Sequence, residues 1–209
     1  MIRRKTKNIA RHSAARISRA ALGTSISGRR REILDVAAAL FAARGYAATS
    51  MRDIGNRVGL LGGSLYHHIR SKESLFVEIH DLALDAAALR IRAAIAPYTE
   101  PWDRLEAACV ELLEVQLNPH SLTMPLMNDF RSAPPAVRQR LVVKRDQFEL
   151  LFDTLVRELP LNPALNRKVF RLMLLTLLNS INTWYKPSGR SPAELGRQVA
   201  LIFRQQARQ

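Results

Sequence analysis

The chain has 209 residues, 47% of them hydrophobic, and a formal net charge of +14. Those values suit one or two compact domains with a substantial core, exclude wholesale disorder, and call for a polyanionic partner, nucleic acid before an anionic membrane surface. One cysteine, Cys109, excludes an internal disulfide and a zinc-finger set and fits a reducing cytoplasm, and without a run of about 18 uncharged apolar residues no membrane span is expected.

The charge is concentrated at the start. Residues 1–31 carry ten cations and no acid, which leaves +4 for the other 178 residues. Residues 1–28 read as a basic, mobile arm that adds phosphate contacts. Their Arg- and Ser-rich, acid-free composition also describes an organelle transit peptide, but they lack the continuous apolar core of a secretory signal.

From there on the pattern is helical, with neither hairpin turn signals nor strand alternation. Ile33, Val36, Ala37, Leu40 and Phe41 recur at helical spacing until Gly45. Ser50 with Asp53 forms an acidic capping box that opens a short helix with Met51, Ile54 and Val58 inward, and Gly59 ends it. Gly62, Gly63 and Ser64 open another short helix carrying Leu65, Tyr66 and Ile69. Ser71 caps a long one running to about Ala96, which joins two domains and suits a lever between them. Beyond Pro97, prolines punctuate further helices near 101–118, 122–131, 135–158, 163–185 and 191–207. The fold class is therefore all-α: a helix-turn-helix domain over 29–76 and a helical domain over 77–209.

Two short helices joined at a glycine-marked turn and packed on a longer first helix make a helix-turn-helix, whose second helix enters the major groove. Its early residues are Leu61, Gly62, Gly63, Ser64, Tyr66 and His67. The glycines let the backbone approach DNA closely, Ser64 can bond a base or a phosphate, and Leu60 or Leu61 can touch a thymine methyl. Tyr66, His67 and Lys72 suit phosphate contacts, which position rather than specify. Ser50, Met51 and Arg52 begin the preceding helix, whose N–H groups can hold another phosphate. Each of these side chains has a plainer alternative, as packing between helices or a solvated charge.

The segment Ala38-Ala39-Leu40-Phe41-Ala42-Ala43-Arg44-Gly45-Tyr46, then Thr49-Ser50-Met51-Arg52-Asp53-Ile54, Gly59, Gly63-Ser64-Leu65-Tyr66-His67-His68-Ile69 and Ser71-Lys72-Glu73-Ser74-Leu75 has a recognisable order and spacing. Ile33–Val77 resembles the DNA-binding domain of the TetR family of repressors. Gly55 and Gly62 are its mild departures. The resemblance implies a helical C-terminal domain that dimerises through its last two long helices, here 163–185 and 191–207, and a double-stranded palindromic operator read at a spacing of about 34–36 Å. The apolar positions agree: Phe170, Leu172, Met173, Leu174, Leu175, Leu177, Leu178 and Ile181 cover more than one face, and Val199, Leu201, Ile202 and Phe203 supply a second surface.

For a small-molecule effector, Met124, Leu126, Met127, Phe130, Phe148, Leu151, Phe152 and Leu155 either line an apolar cavity or fill an ordinary core. Thr176, Asn179 and Thr183, with Asn182 beside them, form a polar stripe that needs partners, which a ligand, a second subunit or water can supply. The run from Asn182 through Trp184 to Glu194 is similar to a segment of TetR-type regulators of fatty-acid and steroid breakdown that respond to acyl-CoA thioesters. That likeness implies an acyl chain in the oily region and cations such as Lys144, Arg145, Lys186 or Arg190 near the nucleotide phosphates. A multidrug or aromatic-compound sensor of the same fold is the alternative. The histidines show no metal-ligand spacing, Cys109 has no evident base, and no phosphate-binding glycine loop follows a strand, so neither catalytic residue, metal nor cofactor is expected. A membrane-surface role for the arm is disfavoured, because residues 1–31 lack a bulky aromatic face.

Overall fold

The computed structural model describes residues 28–60, 62–118 and 133–207. Among them every regular element is helical: α1 (Gly28–Arg44), α2 (Met51–Val58), α3 (Gly62–Tyr66), α4 (Lys72–Ile95), α5 (Pro101–Gln116), α6 (Pro135–Glu158), α7 (Arg167–Ser180) and α8 (Pro192–Gln206), with a 3-10 turn at Ile181–Thr183. They form two compact units. The first takes α1 to α3 with the start of α4 and of α6, and divides from the second at Ala83 and at Val142; the second takes the rest. The basic arm and the expected helix at 122–131 lie outside the described residues, as do Leu61, Met124, Met127 and Phe130.

In the first unit, α1 buries Ile33, Leu34, Ala37, Ala38 and Phe41, a stripe turned slightly from the expected one, with Val36 and Leu40 half-buried at its edge. Phe76 from α4 meets Phe41 edge-on at 5.1 Å between ring centroids and Tyr46 at 4.7 Å. These rings join Ile54 and Val58 of α2, Leu65 of α3 and Ile69 in one core. Burying each large side chain contributes roughly 1.5–3 kcal/mol, which anchors the inward side of helices as short as α2 and α3.

Local chemistry sets the ends. The Ser50 hydroxyl accepts from the Asp53 N–H at 3.1 Å while the Asp53 carboxylate accepts from the Ser50 N–H at 2.9 Å, the reciprocal box that starts α2. Gly59 stops it at φ 69°, a left-handed conformation that side chains with a Cβ resist. Ser71 accepts from the Ser74 N–H at 3.1 Å and starts α4.

In the second unit, α5, α7 and α8 pack with the later turns of α4 and α6 around Leu105, Cys109, Leu113, Phe152, Leu174 and Leu178. The closest approach is at Gly196: a Cβ built there would stand 2.6 Å from the Val110 Cα of α5. α8 starts as expected, with Ser191 and Glu194 in a capping box and Pro192 in the first turn. The expected helix over 163–185 is shorter. Asn162 closes a turn by accepting from the Ala164 N–H at 2.9 Å, and Asn166 caps the true start by accepting from the Val169 N–H at 3.1 Å. Two asparagines thus outcompete Pro163 as the helix start. At the other end Ile181–Thr183 tightens into the 3-10 turn, so Asn182 and Thr183 leave the α-helical stripe.

Candidate nucleic-acid interface

The amphipathic character of α3 is complete within its five residues. Leu65 is 1% exposed in the core, while Tyr66 is 56% exposed, and Gly63, Ser64 and His67 also face outward. Beyond its chain neighbours and its own helix backbone, nothing described lies within 4 Å of where a Gly63 Cβ would stand, so the backbone is open at this position. Beside it, Arg30, Tyr66, His67, His68, Arg70 and Glu78 border an open cleft of about 340 Å³. A short helix with a buried leucine and an exposed glycine, hydroxyls and imidazole offers close approach and hydrogen-bonding groups on one side.

The other expected contacts differ in what they already do. The Ser50 hydroxyl donates to Asp53 at 2.6 Å and accepts the Asp53 N–H, so the capping box occupies it. That hydroxyl first, and then the Ser50 N–H that donates to the same carboxylate, hold the Asp53 carboxyl below its ordinary range. Met51 is half-buried against the core, whereas Arg52 is exposed beside it. Lys72 sits with its ammonium 4.1 Å from the centroid of the Tyr46 ring. Burial lowers its pKa and neighbouring Glu73 opposes that. The Tyr46 hydroxyl donates to Glu73 at 3.1 Å; burial, then that carboxylate, pushes its pKa up to about 12.

The structure also uses residues that composition assigns to DNA attraction. Arg29 donates to the Val58 carbonyl at 2.7 Å, at the end of α2. Arg30 donates to the His68 carbonyl just after α3 and forms a two-pronged ion pair with Glu78 of α4, at 3.2 and 2.6 Å. Partners 29 to 48 residues apart leave no periodic trace, so sequence reasoning passes over them.

The expected effector residues in the second unit differ in burial. Phe152 is fully buried in the core, with half-buried Phe148 6.3 Å away between ring centroids. Asn179 accepts from the Gln116 amide at 2.6 Å, a partner that sequence reasoning missed, and the Gln116 Oε1 is buried without one. Thr176, Asn182 and Trp184 are exposed. Of the cations, Lys144 pairs with Asp85 at 2.7 Å and Arg145 with Glu149 at 3.7 Å, while Lys186 is exposed. Arg190 borders an open cleft of about 340 Å³ with Glu106, Glu194 and Arg197. Cys109 is buried, which raises its thiol to about 12. Among the described residues no cluster of His, Cys, Asp and Glu could hold a metal ion, and no helix is long and apolar enough to cross a membrane.

The HTH-type transcriptional repressor KstR2 of Mycobacterium tuberculosis is 31% identical over 184 residues, covering 85% of this chain and 92% of that one. The solved structure of that ketosteroid transcriptional regulator superposes with a TM-score of 0.65 at 27% identity, over 85% of this chain and 94% of that one. The structure of AibR in complex with isovaleryl coenzyme A and operator DNA shares the fold, with a TM-score of 0.71 at 23% identity over 84% and 98% of the two chains. Residues 33–79 match the bacterial regulatory proteins of the tetR family, and residues 98–207 match the tetracyclin repressor-like C-terminal domain. With its all-helical architecture and these matches across most of its length, the chain belongs to the TetR family of transcriptional regulators.

Proposed function

We propose that this regulator is a repressor that binds a palindromic DNA operator as a homodimer and responds to a small acyl-CoA thioester. The observation that carries the DNA-binding part is the outward side of α3, where Gly63, Ser64, Tyr66 and His67 stand exposed on a helix anchored by Leu65. Gly63 and Ser64 suit base edges, with Gly62 preceding them. Tyr66, His67, Arg52 and Lys72, and the N–H groups that begin α2 at Ser50 and Met51, suit phosphates.

For the dimer, the support is apolar surface on the last two helices. Val169, Leu172, Met173 and Leu177 of α7 and Leu201 and Ile202 of α8 are 37–61% exposed, although each helix also buries a second face in the core. So much exposed aliphatic surface on two long helices suits a self-complementary contact. The thioester is supported by the likeness to AibR, whose complex holds isovaleryl coenzyme A, and a steroid-type acyl group by the likeness to KstR2, a ketosteroid regulator by description. Within the described residues, half-buried Phe148 and Asn179 are the groups that an acyl chain would meet, with Asn182 and Trp184 at the surface beyond α7.

One experiment tests the reading: selection of bound duplexes from a random pool by the full chain, followed by a challenge with thioesters. An enriched two-fold symmetric motif is expected. Tyr66→Ala should weaken binding to it by about tenfold, the effect of losing one good contact, and a medium-chain or steroid-derived acyl-CoA should change occupancy where the free acid does not. Failure to enrich any motif sinks the operator. A response to aromatic acids or drugs but to no thioester transfers the effector to the multidrug class.

A further inference from the structure

We infer that Arg30 is a positioning residue for DNA reading: through Glu78 it ties the end of α3 to α4 and so fixes the attitude of the exposed face. The inference rests on the proposal that α3 reads DNA, and adds what holds it at the angle that reading needs.

α1 departs from a local rule of helix composition. The first turn of α1 holds Arg29, Arg30 and Arg31 and no acid, cations at the positive end of the helix dipole. Such a departure is expected where another interaction compensates, and the geometry supplies it. Arg29 reaches the last carbonyl of α2, Val58 O, at 2.7 Å, and Arg30 reaches the carbonyl of His68, immediately beyond α3. Two adjacent arginines therefore engage the last carbonyl of α2 and a carbonyl two residues past α3.

Arg30 does more than cap. Its Nε and Nη2 meet the two oxygens of Glu78 at 3.2 and 2.6 Å, which leaves Nη1 for His68. A planar guanidinium engaged at all three nitrogens cannot swing, so the His68 carbonyl is held at a fixed place relative to α4. The pair is half-buried, with side chains 34% and 27% exposed, and so is only partly screened by salt. α3 needs this tie. Five residues are too few to hold a helix by their own hydrogen bonds, and Leu65 and Ile69 secure only its inward side. Glu78 stands on a helix whose later turns, beyond Ala83, belong to the second unit, so the tie connects the reading surface to an element both units share.

The test sets position against charge. Glu78→Gln makes the protein more cationic, so simple attraction predicts tighter binding to every duplex; the positioning role predicts weaker binding to the enriched duplex and none of that weakening on a scrambled one. We expect a loss of about fivefold to tenfold for the enriched duplex alone. Arg30→Lys keeps the net charge but not the fork, and should lose the same discrimination. Arg30→Met with Glu78→Met removes both partners without leaving a buried charge; its melting temperature should stay near the parent's while discrimination is still lost, which separates position from folding. Parental affinity of Glu78→Gln for the enriched duplex, or equal losses on both duplexes, overturns the inference and leaves the DNA-reading proposal standing. A parent chain that enriches no sequence overturns both.

Discussion

Asp35 is a small liability inside the DNA-binding unit. It lies on α1 with Oδ1 buried and unpartnered, and burial lifts its pKa from 3.8 to about 6, against the opposing pull of Arg31 one turn earlier. A carboxyl whose pKa rises on folding binds its proton more tightly in the folded state. Its contribution is therefore most favourable below about pH 4, declines as the pH climbs to about 6, and is flat above that. After allowance for solvent screening of a half-buried group, the cost at neutral pH is on the order of 1–2 kcal/mol. Asp35→Asn should accordingly raise the melting temperature by about 2–6 °C at pH 7.5 and change it little at pH 4. Equal gains at both pH values would assign the effect to packing instead. At this scale the sequence is legible only where partners are near neighbours: the Ser50–Asp53 and Ser191–Glu194 boxes lie three residues apart, whereas Arg30 and Glu78 are brought together by the packing of α1 on α4.

At the level of elements, the contact between α8 and α5 pits two effects against each other. Gly196→Ala improves helix propensity by about 1 kcal/mol. The added methyl would, however, stand 2.6 Å from one backbone atom of Val110 and 2.8 Å from another, neither of which can rotate away. Overpacking costs typically about 1–3 kcal/mol, and with backbone as the obstacle it should win. The variant should show a lower urea midpoint by a net of about 1–2 kcal/mol; a higher midpoint would mean that the two helices yield easily. Apolar periodicity made most helices readable, because α1 and α8 each turn one stripe inward. The start of α7 was not. Pro163 offered a familiar signal, and the choice between it and Asn166 depended on which side chain the folded turn allowed to reach a free N–H. The expected polar stripe failed for a related reason, since the 3-10 turn carries Asn182 and Thr183 off the α-helical register.

For the molecule as a whole, the proposed contact with a second copy is argued from α7. Met173 is 61% exposed and Val169 and Leu172 lie on the same helix at 50% and 44%. In the proposed homodimer Met173→Glu would bury carboxylates without partners, so it should lower the mass measured by light scattering towards 23.6 kDa while helix content is retained. A variant that stays at twice that mass would move the contact elsewhere. The effector side was the least readable in the sequence. Phe152 in a packed core and a phenylalanine lining a pocket have the same composition and spacing, and only three-dimensional packing separates them.

Cys109, enclosed between α5 and its neighbours and with its thiol held protonated, has a practical corollary. The folded protein should be silent to thiol reagents, and the sequence contains no second sulfhydryl. Any cysteine placed on the surface away from the reading face, for instance at exposed Asn56, therefore becomes a unique attachment point for a nitroxide or a dye without prior removal of the natural residue. Pulsed spectroscopy between two such labels would act as a ruler across an assembled pair, free and on its duplex.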